Sequence, residues 1–562
     1  MAPPPEDDPL VVGSHFNYRN RPRRDQAWGV LYGILLALTI IGGAYGIMHR
    51  NHRFSNAFQQ DYLADPRNCP LQQPGQLKDE PEPEQLDLPA FFKQASLWLV
   101  VSAIASVLLG IAFLQLFKHQ PHLMTKVTIA SQVAVPAALG VAALIAGQFG
   151  GGLMMLAMAA LAGLAFYLWR NEIGLCARLL GVSAHALNSN PGLVLLVVVT
   201  KIVMTLAILP MFAFMFLAYT NGHIGRNGEV AKVTRARQCL NGEGQEVPCC
   251  AWQPDAWVSA YMSLTSVVLL WTVFLFGQFR IFTISGTIAQ WYFAPPEAAD
   301  ALKGSTLRSA RFALGPSFGT LSLGALVLTL IEMARQALQQ AQENRQNGEN
   351  LIWSLLSCCL QCIWGLIEYI TKFATIRAAI TGEAFFEAGR SVTDLLMRNF
   401  LKAYGVWWFP PLVLQLAAFL LSAAWGVFIY VISYFAWHSQ PHAQAQAVIL
   451  GVLSFFMAWV VQAFFASVLL DIVNAVFICY AMDKDTHSVT NAEVHEVFSQ
   501  VPVGVAVEQP DGEVAYGAPV PGGYAPPAQT GAAHGHGQPY AGTAPPPPQF
   551  ARHGPYDSQA HV

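Results

Sequence analysis

PGLVLLVVVTKIVMTLAILPMFAFMFLAY, residues 191–219, carries one charge, Lys201, in an otherwise apolar or small-residue run. A hydrocarbon core about 30 Å thick needs about 20 such residues rising 1.5 Å each. Lipid offers backbone groups no water, so a lone segment can cross it only as a helix. Working outward, the same reading selects 27–48, 95–117, 124–147 and 151–169 before this run, and 256–279, 313–337, 351–371, 405–436 and 446–480 after it. The fold class that follows is all-α, a polytopic membrane protein with about ten transmembrane helices. Runs 191–219, 405–436 and 446–480 are over-long and should tilt or project beyond the bilayer.

Composition agrees. The chain has 562 residues, 54% of them hydrophobic and only 12% charged, about half the charge of a soluble domain. A net charge of -3 leaves no electrostatic footprint for nucleic acid. The first apolar run begins near Ala27 and is too long for a signal-peptide core, so it should serve as both first span and insertion signal. There is no P-loop lysine motif and no H-E-x-x-H pair, and Gly150-Gly151-Gly152 lies between two spans. Cys358, Cys359 and Cys362 sit inside an apolar run, where packing is the expected role. The expectation is a protein that is not an enzyme and needs no cofactor or metal.

Three regions follow: a cytosolic N-terminal segment 1–26, a membrane domain 27–482, and a disordered Pro/Gly-rich cytosolic tail 483–562. Lys and Arg concentrate in alternate loops: Arg19 to Arg24, Lys118 and Lys126, Arg170 and Arg178, Arg280 to Arg311, and Lys372 to Lys402. The bias places both termini in the cytosol, although loops 49–94 and 220–255 also hold basic residues. The 220–255 loop would then be external and oxidising, favouring a bridge from Cys239 to Cys249 or Cys250, with Cys69 a further candidate. The stretch 372–404 alternates apolar and charged residues, as an amphipathic helix does, lying either at the membrane interface or packed under the bundle. The tail run Pro545–Pro548 is of the kind that binds SH3 or WW partners, although most such runs are solvated tails.

Three segments resemble the choline-transporter-like family, and more closely its fungal, pH-nine-sensitive branch. They are Thr283–Phe293 (TISGTIAQWYF); Ser309–Arg335, with its core LGPSFGTLSLGAL at 314–326; and Cys358–Asn399, ending DLLMRN. The resemblance implies a plasma-membrane transporter for a small organic solute, choline or a related amine, working by alternating access across the lipid bilayer. A membrane scaffold or stress-tolerance protein acting through its tail is the alternative from another class, and a channel is the third.

Charges inside lipid cost roughly 2.5–3.5 kcal/mol on insertion scales, so each needs a reason. Lys201, Glu332, Glu368 and Asp471 fall inside the runs. They read either as cavity-facing transport groups or as inter-helix pairs. A quaternary ammonium is best held by aromatic faces; Trp271, Trp291, Tyr292, Trp407, Trp408, Trp425 and Tyr430 are candidate walls, though such residues also anchor helices at interfaces. Gly286, Gly315 and Gly319 mark places where helices approach closely or break. The expected substrate contacts are Lys201, Trp271, Trp291, Tyr292, Gly319 and Glu332.

Overall fold

The structure is a computed structural model and describes residues 15–17, 21–51, 54, 88–168, 170–228, 230–233, 239–240, 242, 244, 249–294, 304–343, 351–398, 400–437 and 443–499. Residues 500–562, Cys69, most of the 49–94 loop, and the side chains of Trp407 and Trp408 lie outside this set, and with them the tail expectation.

The helices run in the order α1 (Gln26–Met48), α2 (Leu88–His119), α3 (Pro121–Ile145), α4 (Phe149–Leu168), α5 (Arg170–Ser189), α6 (Gly192–Tyr219), α7 (Ala256–Tyr292), α8 (Ser305–Leu314), α9 (Phe318–Glu343), α10 (Leu351–Thr381), α11 (Phe385–Arg398), α12 (Phe400–Trp437), α13 (Ala443–Asp485) and α14 (Ala492–Ser499). Among the described residues, nine segments are long and apolar enough to cross a membrane, and only 11–44% of each apolar window is buried inside the protein. The rest, including Ile34, Leu161, Leu206 and Val460, faces outward. So much outward apolar surface is stable only against lipid. Helix α10 is the tenth crossing. It lies beside α9, and its first five turns, from Leu351 to Glu368, are long and apolar enough to cross, with Glu368 their single charge.

Two faces close the bundle. At one, β1 (Gly222–Arg226) pairs antiparallel with β4 (Cys250–Pro254), and β2 (Lys232–Val233) with β3 (Cys239–Leu240). A disulfide joins Cys239 to Cys249, with Sγ–Sγ 2.09 Å. We call this the hairpin face. At the other, His15 lies 3.8 Å from Asp483 at the end of α13, so both described ends of the chain share one face, here the terminal face. An even number of crossings is required for that, in keeping with ten.

Helices α7 and α13 are the central posts. Helix α13 packs on α2, α5, α7, α10 and α12, and α7 on α1, α6, α8, α9 and α10. Small residues allow the closest approach. A Cβ on Gly426 of α12 would stand 2.7 Å from the Phe455 Cβ, and one on Gly451 of α13 would stand 2.8 Å from the Tyr430 Cβ. Dispersion between close backbones then holds two helices that gain nothing from apolar burial in lipid.

The structure corrects the sequence reading at four places. The sixth span does not stop near 279, and Thr283–Tyr292 continue it as one 37-residue helix, α7. The membrane domain does not end at 482, since Asp483 is buried and α14 seats Val494 and Phe498 in the core. The amphipathic stretch resolves into the last turns of α10 and a separate α11, whose apolar face (Phe385, Ala388, Val392, Leu395) packs under the bundle. The connection at Arg170–Ser189 is itself a helix, α5, burying Cys176, Leu179, Leu180 and Leu187.

Candidate functional site

Helices α7, α10 and α13 meet at three charges. Asp471 of α13 is 1% exposed. Lys372 Nζ of α10 lies 2.9 Å from its Oδ1, and Arg280 Nη2 of α7 lies 2.9 Å from its Oδ2. Arg280 Nη1 also donates to Ser467 Oγ at 3.1 Å, one turn before Asp471. The hydrogen bonding is incomplete. Among the described residues Oδ2 accepts no well-aligned hydrogen bond, and Arg280 Nε donates none. A carboxylate in a low-dielectric setting needs a cation in every state, and here two compete for it.

Ser467 belongs to a second feature, a half-open cavity of about 430 Å³ between α12 and α13, lined by Leu414, Gln415, Phe419, Trp459, Ser467 and Leu470 among others. Its wall includes Pro411, and Pro410 and Pro411 of α12 cannot return hydrogen bonds to the carbonyls four residues earlier. Apolar and aromatic walls with a few polar groups at one end suit a small amphiphilic ligand. Ser467 joins this cavity to the three charges.

One turn along α10 from Lys372 stands Glu368. Arg335 of α9 bridges it at 2.6 Å and Glu332 at 3.1 Å. Between the two charge layers and the terminal face, Thr375 of α10 donates to Gln278 Oε1 of α7, both side chains fully buried. A polar track thus threads α7, α9, α10 and α13.

The terminal face is tied shut by side chains. Arg21 donates to the carbonyls of Ala378, Ala379 and Ile380 at 3.0–3.3 Å, the last turn of α10. Its guanidinium stacks over Phe312 at 4.4 Å and Phe16 at 5.1 Å. A cation is favoured at a helix C-terminus, where carbonyls lack partners. Burial pulls the Arg21 pKa down to about 9, still above neutrality, so the cap stays cationic. Asp25 accepts from Thr320 Oγ1 at 3.0 Å and from the Phe385 N–H at 2.9 Å. Asp483 accepts from the Tyr292 hydroxyl at 3.2 Å, Thr490 Oγ1 at 2.9 Å and the Thr490 N–H at 2.9 Å, with His495 Nε2 3.3 Å away.

The expected substrate contacts are scattered over this frame, and none of them lines the α12–α13 cavity. Trp271 is 1% exposed, and its Nε1–H donates to Ser322 O at 2.9 Å; it ties α7 to α9 as a core residue. Tyr292 belongs to the Asp483 knot, and Trp291 sits beside His185 with ring centroids 6.3 Å apart. A Cβ on Gly319 would stand 2.3 Å from Asp25 O, so this glycine admits the N-terminal segment. Lys201 is exposed on α6, within electrostatic reach of Arg280, and Glu332 is in the α9–α10 bridge. Sequence reasoning missed Arg280 and Lys372, which it assigned to loops, and Trp459 and Ser467. The lone polar Ser467 one turn before Asp471 was the available signal. Among the described residues no three His, Cys, Asp or Glu side chains converge as metal ligands do.

The family described as plasma-membrane choline transporter matches residues 153–485. The chain belongs to that family. As a choline-transporter-family chain it is similar to a CTL-like protein of Dictyostelium discoideum, 29% identical over 224 residues, 38% of this chain and 39% of that protein. It is likewise similar to the protein PNS1 of Gibberella zeae, 26% identical over 208 residues, 36% and 38% of the two chains. Choline transporter-like protein 5 of Macaca fascicularis is 26% identical over 245 residues, 41% of this chain and 33% of that one. Each match thus spans two fifths or less of the relative's length. Within the family-matched segment lie all three charges and the whole cavity lining, whereas Arg21 and Asp25 fall outside it.

Proposed function

We propose that the chain carries a small organic cation, choline or a related amine, across the plasma membrane by alternating access, with both termini in the cytosol. The observation that carries this reading is Asp471, a buried carboxylate shared by α7, α10 and α13 beside a cavity walled by Phe419 and Trp459. An ammonium headgroup would stack on those rings at ~0.5–2 kcal/mol each and reach Asp471 past Ser467. Family membership and the names of the relatives support a transport role in the same direction. The charges Lys201, Glu332 and Glu368 then tune the field along the route, and Trp271, Trp291, Tyr292 and Gly319 hold the frame that moves. The terminal-face ties of Arg21, Asp25 and Asp483 close the cytosolic mouth.

Radiolabelled choline uptake into proteoliposomes tests the reading, with a panel of competing amines. Uptake should saturate, and Trp459→Ala should raise the half-saturating concentration roughly tenfold by removing one aromatic wall. Correctly inserted protein that takes up neither choline nor any competing amine would remove the proposal. Removal of residues 500–562 should leave uptake intact; loss of function in cells with uptake preserved would move the working part to the tail.

A further inference from the structure

Glu368 and Lys372 stand at i and i+4 on α10, the spacing at which a glutamate and a following lysine pair on any helix. Here neither uses the other. Glu368 Oε1 takes Arg335 at 2.6 Å, and Lys372 Nζ takes Asp471 at 2.9 Å. The six charges of the two layers sum to zero: Glu332, Glu368 and Asp471 against Arg335, Lys372 and Arg280. The Asp471 layer, one carboxylate with two cations, is at +1 and the glutamate layer, two carboxylates with one cation, at −1, so a further cation at Asp471 overloads its layer unless a resident cation crosses to the glutamates.

The two resident cations differ in freedom. Arg280 is held to Ser467 as well as to Asp471. Lys372 has only its single contact to Asp471 among the described residues, with a side chain 25% exposed. A lysine is a point charge on a four-carbon stem and can turn to a neighbour one helical turn away without moving backbone. Asp471 Oδ2 and Arg280 Nε already have hydrogen-bonding capacity to spare, so the site is arranged for a partner exchange and not for a closed pair.

We propose that Lys372 is a tethered stand-in for the transported cation: it neutralises Asp471 in the empty protein and swings to Glu368 when an organic ammonium takes its place. This rests on the amine-transport reading above. Arg280 stays on Oδ2 throughout, and the exchange keeps Oδ1 paired in both states, so neither oxygen of the buried carboxylate is left without a cation. It also sets specificity. A ligand of charge +1 completes the exchange, whereas an isosteric neutral alcohol cannot evict the lysine. Because cargo and lysine compete for one carboxylate, the lysine weakens cargo binding, and the glutamate that receives the lysine strengthens it.

Two variants therefore move choline affinity in opposite directions. In proteoliposomes, Lys372→Met should lower the half-saturating choline concentration about tenfold, and Glu368→Gln should raise it by a similar factor. Lys372→Met should also slow net uptake into choline-free vesicles more than choline–choline exchange, because its empty form leaves Oδ1 uncompensated. A merely structural pair would shift both variants the same way or lower the maximal rate alone. If active wild type is accompanied by variants that shift together or not at all, the stand-in is overturned and the amine reading survives. Wild type inert in both uptake and exchange overturns the amine reading itself. Should Lys372→Met fail to insert, Glu368→Gln decides alone: an unchanged or lowered half-saturation refutes the exchange.

Discussion

Asp471 is the acid on which α7, α10 and α13 converge. Its carboxylate faces two cations, Arg280, which Ser467 also holds, and Lys372, which has a single contact among the described residues. Asp471→Asn should abolish choline uptake and lower the thermal midpoint of the solubilised protein, since removing the acid leaves Arg280 and Lys372 facing each other; breaking a buried pair costs about 3–5 kcal/mol. Gly319 makes a separate prediction. An alanine there must push back the backbone of Asp25, so Gly319→Ala should lower the thermal midpoint clearly, whereas Gly33→Ala, with nothing within 4 Å of its new Cβ, should leave it unchanged. The sequence singled out both Asp471 and Gly319, but not their partners. Arg280 and Lys372 sit near the ends of apolar runs, where a one-dimensional reading assigns charges to water. What returns them to the interior is the length of α7 and α10, which continue past the apolar windows as single helices.

At the element scale, α10 is held at its end by a residue more than three hundred positions earlier in the chain. Arg21→Ala should speed amide hydrogen exchange across 376–382 and destabilise the protein by about 1–3 kcal/mol, through three carbonyls losing a charged donor. Choline uptake should slow with its half-saturating concentration unchanged, because Arg21 ties the terminal face and touches neither the cavity nor Asp471. Helices α5 and α11 show what periodicity could and could not reveal. In α11 the buried Phe385, Ala388, Val392 and Leu395 recur at helical spacing, and the amphipathic reading found that stretch. The same spacing is present in α5, at Cys176, Leu179, Leu180, Ser183 and Leu187. There the basic Arg170 and Arg178 drew the reading toward a loop, although one charged face is what an amphipathic helix requires.

At the scale of the whole molecule, His15 beside Asp483 and the disulfide of Cys239 and Cys249 define opposite faces. Cysteines introduced at exposed His223 and Glu493, in a background stripped of reactive thiols, should label from opposite sides of a sealed vesicle. Labelling of both from one side would break the ten-crossing arrangement. The outward apolar surface makes a lipid environment part of the fold.

Hydropathy alone determined the number and rough bounds of the crossings, because each helix satisfies its own backbone and faces lipid with side chains that need no partner. The pairing of six charges, the cavity and the capped helix end required the tertiary structure. Each arises where side chains from distant helices neutralise one another in a medium that tolerates no bare charge, and a pairing of that kind leaves no local pattern in the chain.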